Sequence, residues 1–271
     1  MLGYTWINKN GMRYITLPHW AEQGVNMAFS TRLGGVSQSP YNTLNFGLHV
    51  GDRRDDVIEN RRRFLKLFSL TPEDMVCCEQ VHGNSVAIVG KDERGRGALD
   101  YNTSLPGYDA MVCRTPGIML STFYADCFPI YLFDPDQRVV AIAHSGWKGT
   151  MGQIAVQTLK VMQTEFGCSA KNTEVFIGPG IGGCCFQIGQ DLVKQVKEEF
   201  PGLNGILNYE FNKCTWDLQL TNRLMLQDNG VRPDNIIDCG LCTSCNPEVF
   251  FSYRREEGTT GRMAAAIGLN Y

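Results

Sequence analysis

Histidine is scarce in this 271-residue chain: His19, His49, His82 and His144 are the whole complement. A multicopper oxidase needs about ten to build its copper centres, so four cannot make one. Long apolar runs are missing too. Nothing approaches the roughly 18 consecutive apolar residues of a membrane span, and the first twenty residues lack a basic segment leading into an apolar one. The expectation is a cytoplasmic protein with no membrane partner. Nor is either charge sign in excess: 25 Lys+Arg stand against 28 Asp+Glu, a formal net charge of −3. Without an overall basic field, a nucleic-acid partner is not expected. No tandem repeat, low-complexity tract or composition break divides the chain, which predicts one α+β unit over residues 1–271 with a large β core.

Cysteine, by contrast, is plentiful. There are eleven, including the adjacent pairs Cys77-Cys78 and Cys184-Cys185. In a reducing compartment each reads as a core residue, a metal ligand or a nucleophile rather than half a disulfide. Cys239-x-x-Cys242-x-x-Cys245 has the spacing of part of an iron–sulfur or zinc motif. Asn246-Pro247 follow, however, and no further cysteine stands where such a motif would place its fourth, so structural thiols are expected there. Gly178 to Gly183 formally matches a dinucleotide fingerprint. Pro179 stiffens the loop, Cys184-Cys185-Phe186 delay any helix, and Asp191 comes too early to reach a ribose, which argues against a Rossmann fold.

Periodicity predicts a helix over 55–68, with acids in its first turn and bases later, and further helices from Gly149 or Thr150 to Phe166, over 190–200 and over about 218–227. Strands are predicted over 28–32, 110–112, 118–124, 130–133, 139–144, 175–177, 250–253 and 264–267, with strand-like segments between 75 and 89. Asp134-Pro135-Asp136-Gln137 is a turn, and residues 91–106 form a surface loop.

Three soft metal-ligand side chains, His82, Cys127 and His144, each close an apolar run beside a polar turn. Two imidazoles and a thiolate match a catalytic zinc, which keeps three protein ligands and an open position. By residue type they also match a single blue-copper centre. Their separation in sequence forms no local motif, so spacing alone favours the plainer alternative of core histidines and a buried thiol. Strand parity places Gln80 on the face of His82 as a supporting partner. Asp126 has the parity opposite to Cys127, which leaves a role as acid or base open. Ser30, Arg32, Asn45 and Arg61 could hold a sugar, phosphate or carboxylate, and Ser145, Gly146, Lys148 and Gly149 could form an anion nest. Taken singly, the first four read more readily as solvated surface residues, and a plain glycine turn with a solvated lysine is as open a reading as the nest.

Taken together, ordered blocks identify a family resemblance. Phe29 to Ser37, Leu44-Asn45-Phe46-Gly47, Asn60-Arg61, Gln80-Val81-His82-Gly83, Ala125-Asp126-Cys127, His144-Ser145-Gly146-Trp147, Ile177 to Cys185, Phe251 to Arg255 and Thr260-Gly261-Arg262 resemble the YfiH/YlmD family, also called laccase-domain or peptidoglycan-editing-factor proteins. The resemblance runs from about Ala28 to Ile267. It implies a four-layer α/β/β/α sandwich, similar to the necrotizing-factor toxin fold, with zinc (copper being the other candidate) on His82, Cys127 and His144. It also implies phosphorolysis of adenosine, inosine, guanosine and methylthioadenosine, with adenosine deaminase activity, so the partners are a nucleoside and phosphate. Catalysis would fall to Cys127, His144 and Asp126, and substrate binding to Ser30, Arg32, Asn45, Arg61, Gln80 and Lys148. The sequence departs from the family with Ser145 for Ala, Lys148 for Arg and Phe186-Gln187 for Tyr-Glu; Lys148 keeps a charge but loses the planar fork. Two other classes compete. Cys127 could be the nucleophile of an amidase or peptidase that edits cell-wall precursors, activated by His144, or the metal set could be closed and serve an interaction protein.

Overall fold

The computed structural model describes residues 3–211 and 213–270. In chain order the elements begin with β1 (Thr5–Lys9), β2 (Met12–Thr16), α1 (Pro18–Glu22), β3 (Val25–Ser30), α2 (Arg54–Lys66), β4 (Met75–Cys77) and β5 (Val86–Val89). They continue with β6 (Ala110–Cys113), β7 (Met119–Tyr124), β8 (Phe128–Asp134), β9 (Val139–Ser145), α3 (Trp147–Met151), α4 (Ile154–Phe166) and β10 (Glu174–Ile177). The chain closes with β11 (Gln187–Ile188), α5 (Gln190–Glu199), β12 (Leu207–Glu210), β13 (Lys213–Trp216), α6 (Leu218–Asp228), β14 (Ile236–Asp238) and β15 (Met263–Leu269).

Two six-stranded sheets carry the molecule, in the orders β1-β2-β3-β15-β7-β4 and β14-β10-β8-β9-β6-β5, and a small sheet β11-β13-β12 stands beside them. Period-2 alternation explains the layers. Along β9, Val140 and Ile142 face the other sheet, where Met27, Phe29 and Ile267 meet them, while Val139, Ala141 and Ala143 face α4 and α6 through Ile154, Leu159 and Leu226. The first sheet turns Ala28, Ala264 and Ala266 outward against Phe64 and Leu65 of α2. Helix, sheet, sheet, helix is the four-layer sandwich expected. Because both sheets are covered on both faces, their central strands are buried along their whole lengths.

The β8–β9 hairpin owes its register to Asp134. Its Oδ1 accepts from the backbone N–H of Asp136 and Gln137, both at 3.0 Å, and its Oδ2 from Ser169 at 2.9 Å. That turn pairs Phe128 with Ser145 and Pro129 with His144.

Several boundaries differ from expectation. The predicted helix from 149 to 166 is two helices, since Gln153 adopts a left-handed backbone (φ 55°) between α3 and α4. Residues 250–253 form loop rather than strand, and the predicted 91–106 surface loop buries Ala98 and Leu105. The hairpin of β1 and β2 and the small sheet were not predicted.

The early polar residues serve this scaffold. Arg61 is 1% exposed; its Nε and Nη2 donate to Phe46 O and its Nη1 to Gly97 O and Ala98 O, while the guanidinium lies 4.4 Å from the centroid of the Phe123 ring. Asn45 bridges Asp52, Gly47 and the backbone N–H of Arg262. Ser30 accepts from Ala264 N, and Arg32 binds Asn42 O, Pro247 O and Glu256. The irregular 31–53 segment meets part of its backbone internally, Thr43 N and Leu44 N donating to Arg32 O and Ser37 N to Thr43 O, and side chains take up Asn42 O and Phe46 O. Replacing Arg61 with Met is expected to remove about 2–4 kcal/mol of stability, because three buried carbonyls lose their donor. Urea unfolding measures this; an unchanged midpoint together with weakened anion binding would instead restore Arg61 as a substrate ligand.

Candidate metal centre and pocket

Four neighbouring strands, β8-β9-β6-β5, bring the site together at one end of their sheet. Cys127 immediately precedes β8 and His144 lies near the end of β9, so the hairpin register sets Cys127 opposite Gly146. Asp109 immediately precedes β6, whose Ala110 pairs with Ala143, and the N–H of His144 donates to Asp109 O at 2.8 Å. His82 sits in the turn before β5 with φ 61°, and Gln80 has φ 60°. Residues far apart in sequence thus become neighbours through strand pairing.

Asp109 was not anticipated. Fully buried, it accepts the backbone N–H groups of Val81 and Gly83 on Oδ2 (3.1 and 2.7 Å) and of His82 on Oδ1 (2.9 Å), together with His144 Nδ1 on Oδ1 (2.8 Å). An ionised carboxylate only accepts, so His144 Nδ1 carries a proton and Nε2 is left for the site. Burial alone would raise the Asp109 carboxyl, but the His144 hydrogen bond and the backbone N–H groups hold it below its ordinary value. One signal was available: an acid just ahead of an apolar strand, Tyr108-Asp109-Ala110, has no reason to be buried unless it is paired.

The ligand atoms of His82, Cys127 and His144 lie within 4.8 Å of one another, with Cys127 Sγ 3.9 Å from His82 Nε2. Burial opposes ionisation of Cys127, but His144 and His82 beside it outweigh that and bring its pKa down to about 6. His144 moves the other way: burial would lower it, and the facing Cys127 and Asp109 push it up to about 9. Together they describe a thiolate facing an imidazolium, so a cation taking this place would displace the proton from His144 Nε2. Gly146 makes room: a Cβ there would stand 2.7 Å from Cys127 Sγ and 3.3 Å from His82 Cδ2. Donor chemistry, spacing and this cradle all fit a single metal ion.

The three ligands open onto a pocket of about 710 Å³. Phe123, Trp147, Ile181, Phe186, Leu192 and Tyr253 supply aromatic and apolar walls, and Lys148, Arg254 and Arg262 supply cations. His49 also lines it; burial first, then Arg262, hold its pKa down to about 4, so the ring is neutral.

Of the sequence candidates, His82, Cys127, His144, Asp126, Gln80 and Lys148 meet in this pocket, whereas Ser30, Arg32, Asn45 and Arg61 do not line it. Gln80 spends its amide on the backbone of Phe123 (2.8 and 2.9 Å), so Asp109 and not Gln80 is the partner that supports the imidazoles. Asp126 accepts from Thr243 Oγ1 (2.6 Å) and Arg254 N (2.7 Å), which commits both its oxygens to positioning the opposite wall. Ser145 is buried in a network with Thr150 and Asn222 and offers nothing to an anion. His49, Arg254 and Arg262 had not been singled out as candidates.

A family model described as multi-copper polyphenol oxidoreductase laccase matches residues 26–270. Purine nucleoside phosphorylase YlmD of Geobacillus stearothermophilus is 40% identical over 247 residues, covering 90% of each chain. Its crystal structure superposes with a TM-score of 0.93 at 38% identity, over 99% of this chain and 100% of that one. Purine nucleoside phosphorylase YlmD of Bacillus subtilis is 35% identical over 262 residues, 94% of each chain. The crystal structure of Bacillus licheniformis YfiH, a hypothetical protein, gives a TM-score of 0.92 at 31% identity over 98% and 99% of the two chains. On sequence and on fold alike, the chain belongs to this laccase-domain family of YlmD and YfiH proteins.

Proposed function

We propose that the chain is a zinc-dependent purine nucleoside enzyme. It would cleave adenosine, inosine, guanosine and methylthioadenosine with phosphate to the base and (methylthio)ribose 1-phosphate, and would deaminate adenosine. The observation that carries this reading is the His82–Cys127–His144 set opening onto an aromatic pocket with three cations. The phosphorylase names of the YlmD relatives support the substrate class.

His82, Cys127 and His144 would hold the ion. An ion held there would supply Lewis-acid polarisation to the group the substrate presents. Phe123, Phe186 and Trp147 offer flat apolar surface to a purine. Lys148, Arg254 and Arg262 neutralise phosphate, whose oxygen attacks the ribose C1′ as the bond to the purine nitrogen breaks. Arg254 is held for this role, since its backbone N–H is tied to Asp126 and its guanidinium lies 5.3 Å from the Phe186 ring centroid. His49, being neutral, offers one ring N–H and one acceptor nitrogen to the nucleoside. Asp109 acts through His82 and His144 as a positioning residue.

A second reading has its own observation. A thiol flanked by two imidazoles, one of them backed by a carboxylate, is also the arrangement of a cysteine nucleophile, which would make the chain an amidase or peptidase. Chelators abolish activity on the first reading; thiol alkylation of metal-free protein abolishes it on the second.

Adenosine incubated with metal-loaded protein is expected to give adenine and ribose 1-phosphate when phosphate is present, and inosine without it, on chromatography. Neither product forming would overturn the proposal. Asp109→Asn is expected to weaken metal retention by about 10–100-fold in chelator competition. Gly146→Ala is expected to weaken it as well, while leaving the unfolding midpoint nearly unchanged.

A further inference from the structure

Among the described residues a second group of potential metal ligands stands apart from the first: Cys184, Cys185, Cys242 and Cys245, whose sulfurs all lie within 4.8 Å of one another. Two come from the adjacent pair that follows the Gly178–Gly183 turn, and two from a Cys-x-x-Cys step beyond β14. Cys239, the third cysteine of that run, is not among them. It is buried beneath Tyr4, so the 239–245 run contributes two ligands and the 184–185 pair supplies the other two.

The geometry is that of one ion. Zinc–sulfur bonds of about 2.3 Å in a tetrahedron put neighbouring sulfurs about 3.8 Å apart. Here Cys184–Cys185 is 3.8 Å, Cys184–Cys245 3.6 Å and Cys185–Cys245 3.4 Å. These separations are too long for disulfide bonds, and all four cysteines are free. They are also too compact for a cluster, whose several irons would spread its cysteines. The backbone is built to hold the set. Gly180 bridges to Cys242 in a parallel step, with Thr243 N donating to Gly180 O at 2.9 Å. The N–H of Gly182 points at Cys242 Sγ from 3.3 Å, the contact that stabilises negative sulfur. A Cβ on Gly182 would press on Cys184 Sγ at 3.2 Å and on Cys242 Cβ at 3.3 Å.

We infer that Cys184, Cys185, Cys242 and Cys245 form a second metal site, an all-sulfur tetrahedron for one zinc-type divalent cation. Four protein ligands close its shell, so its role is structural. It joins the 180–185 turn to the 241–245 segment directly behind the pocket wall. Ile181 and Phe186 line that wall, Ile181 N donates to Asp126 O at 2.7 Å, and Arg254 Nη1 reaches Gln187 O at 3.3 Å. The ion therefore fixes one side of the pocket without touching a substrate. This inference does not depend on the nucleoside reading or on what occupies the His82 set.

The test uses the full chain, produced in zinc-supplemented medium and purified under reducing conditions. A His82→Ala/Cys127→Ala variant removes the first set and leaves the four cysteines untouched. It is expected to keep about one zinc per chain by elemental analysis, with an X-ray absorption shell of sulfur alone at about 2.3 Å. Cys184→Ser/Cys245→Ser, made at two exposed positions, is expected to lose about one zinc per chain relative to the unsubstituted protein. In the first variant, metal-free protein with four freely titrating thiols overturns the inference. So does a disulfide within the set, or a shell containing nitrogen.

Discussion

The candidate centre depends on one buried carboxylate. Asp109 gathers three successive backbone N–H groups of the 81–83 turn and the Nδ1–H of His144, so a single side chain sets both the position of one imidazole and the tautomer of the other. An isolated carboxylate in that position would be strongly disfavoured, and four hydrogen bonds are what keep it there. His82 adopts a left-handed backbone that L residues seldom take, and the clasp on the amides around it holds that conformation. Without Asp109 the turn and the ring would lose their shared reference point.

How much of this was legible in the sequence depends on the kind of information involved. Apolar periodicity reports burial, and it located the central strands 110–113, 119–124, 128–134 and 139–145, as well as α2, α5 and α6, to within a few residues. Pairing is a different matter. The separation of Cys127 from His144 looks arbitrary until the Asp134 turn fixes the hairpin. Once Phe128 faces Ser145, Cys127 must face Gly146, and the missing side chain of that glycine becomes intelligible. The break between α3 and α4 was hidden because nothing in the pattern there announces a left-handed Gln153. The stretch 250–253 reads as a strand by composition, but its backbone is spent on side chains: Phe250 O accepts from Arg255, Phe251 N–H points at Met263 Sδ and Ser252 N–H donates to Glu256.

Polar residues exposed the limit of sequence reading most clearly. Ser30, Arg32, Asn45 and Arg61 are the types that bind phosphate or sugar, and a sequence cannot say whether their partner is a ligand or the protein's own backbone. The segment between β3 and α2 contains no helix or strand, and its own turn contacts leave carbonyls such as Phe46 O to side chains brought from elsewhere. Arg61, with donors spread over a planar fork, meets three carbonyls from two separate loops at once. Of the cations that line the pocket, Lys148 was legible in the sequence, whereas Arg254 and Arg262 take their places only in the folded chain.

The placement of the four histidines bears on the chemistry that the family's description suggests. His19 hydrogen-bonds Glu174 at 2.9 Å, and Glu174 pairs with Phe133, at the Asp134 end of the β8–β9 hairpin and so at the opposite end of the sheet from His144. His49 lines the pocket but stands outside the group formed by His82, Cys127 and His144. Two imidazoles therefore remain for metal, enough for one ion and too few for the coupled copper centres of a multicopper oxidase. A single copper used for electron transfer would have the same two imidazoles and thiolate, but its performance depends on a shielded metal with a weak axial ligand. Here all three donors line a pocket of substrate size whose other walls are aromatic side chains and cations. That setting suits a centre that a small molecule can reach rather than one that only electrons reach.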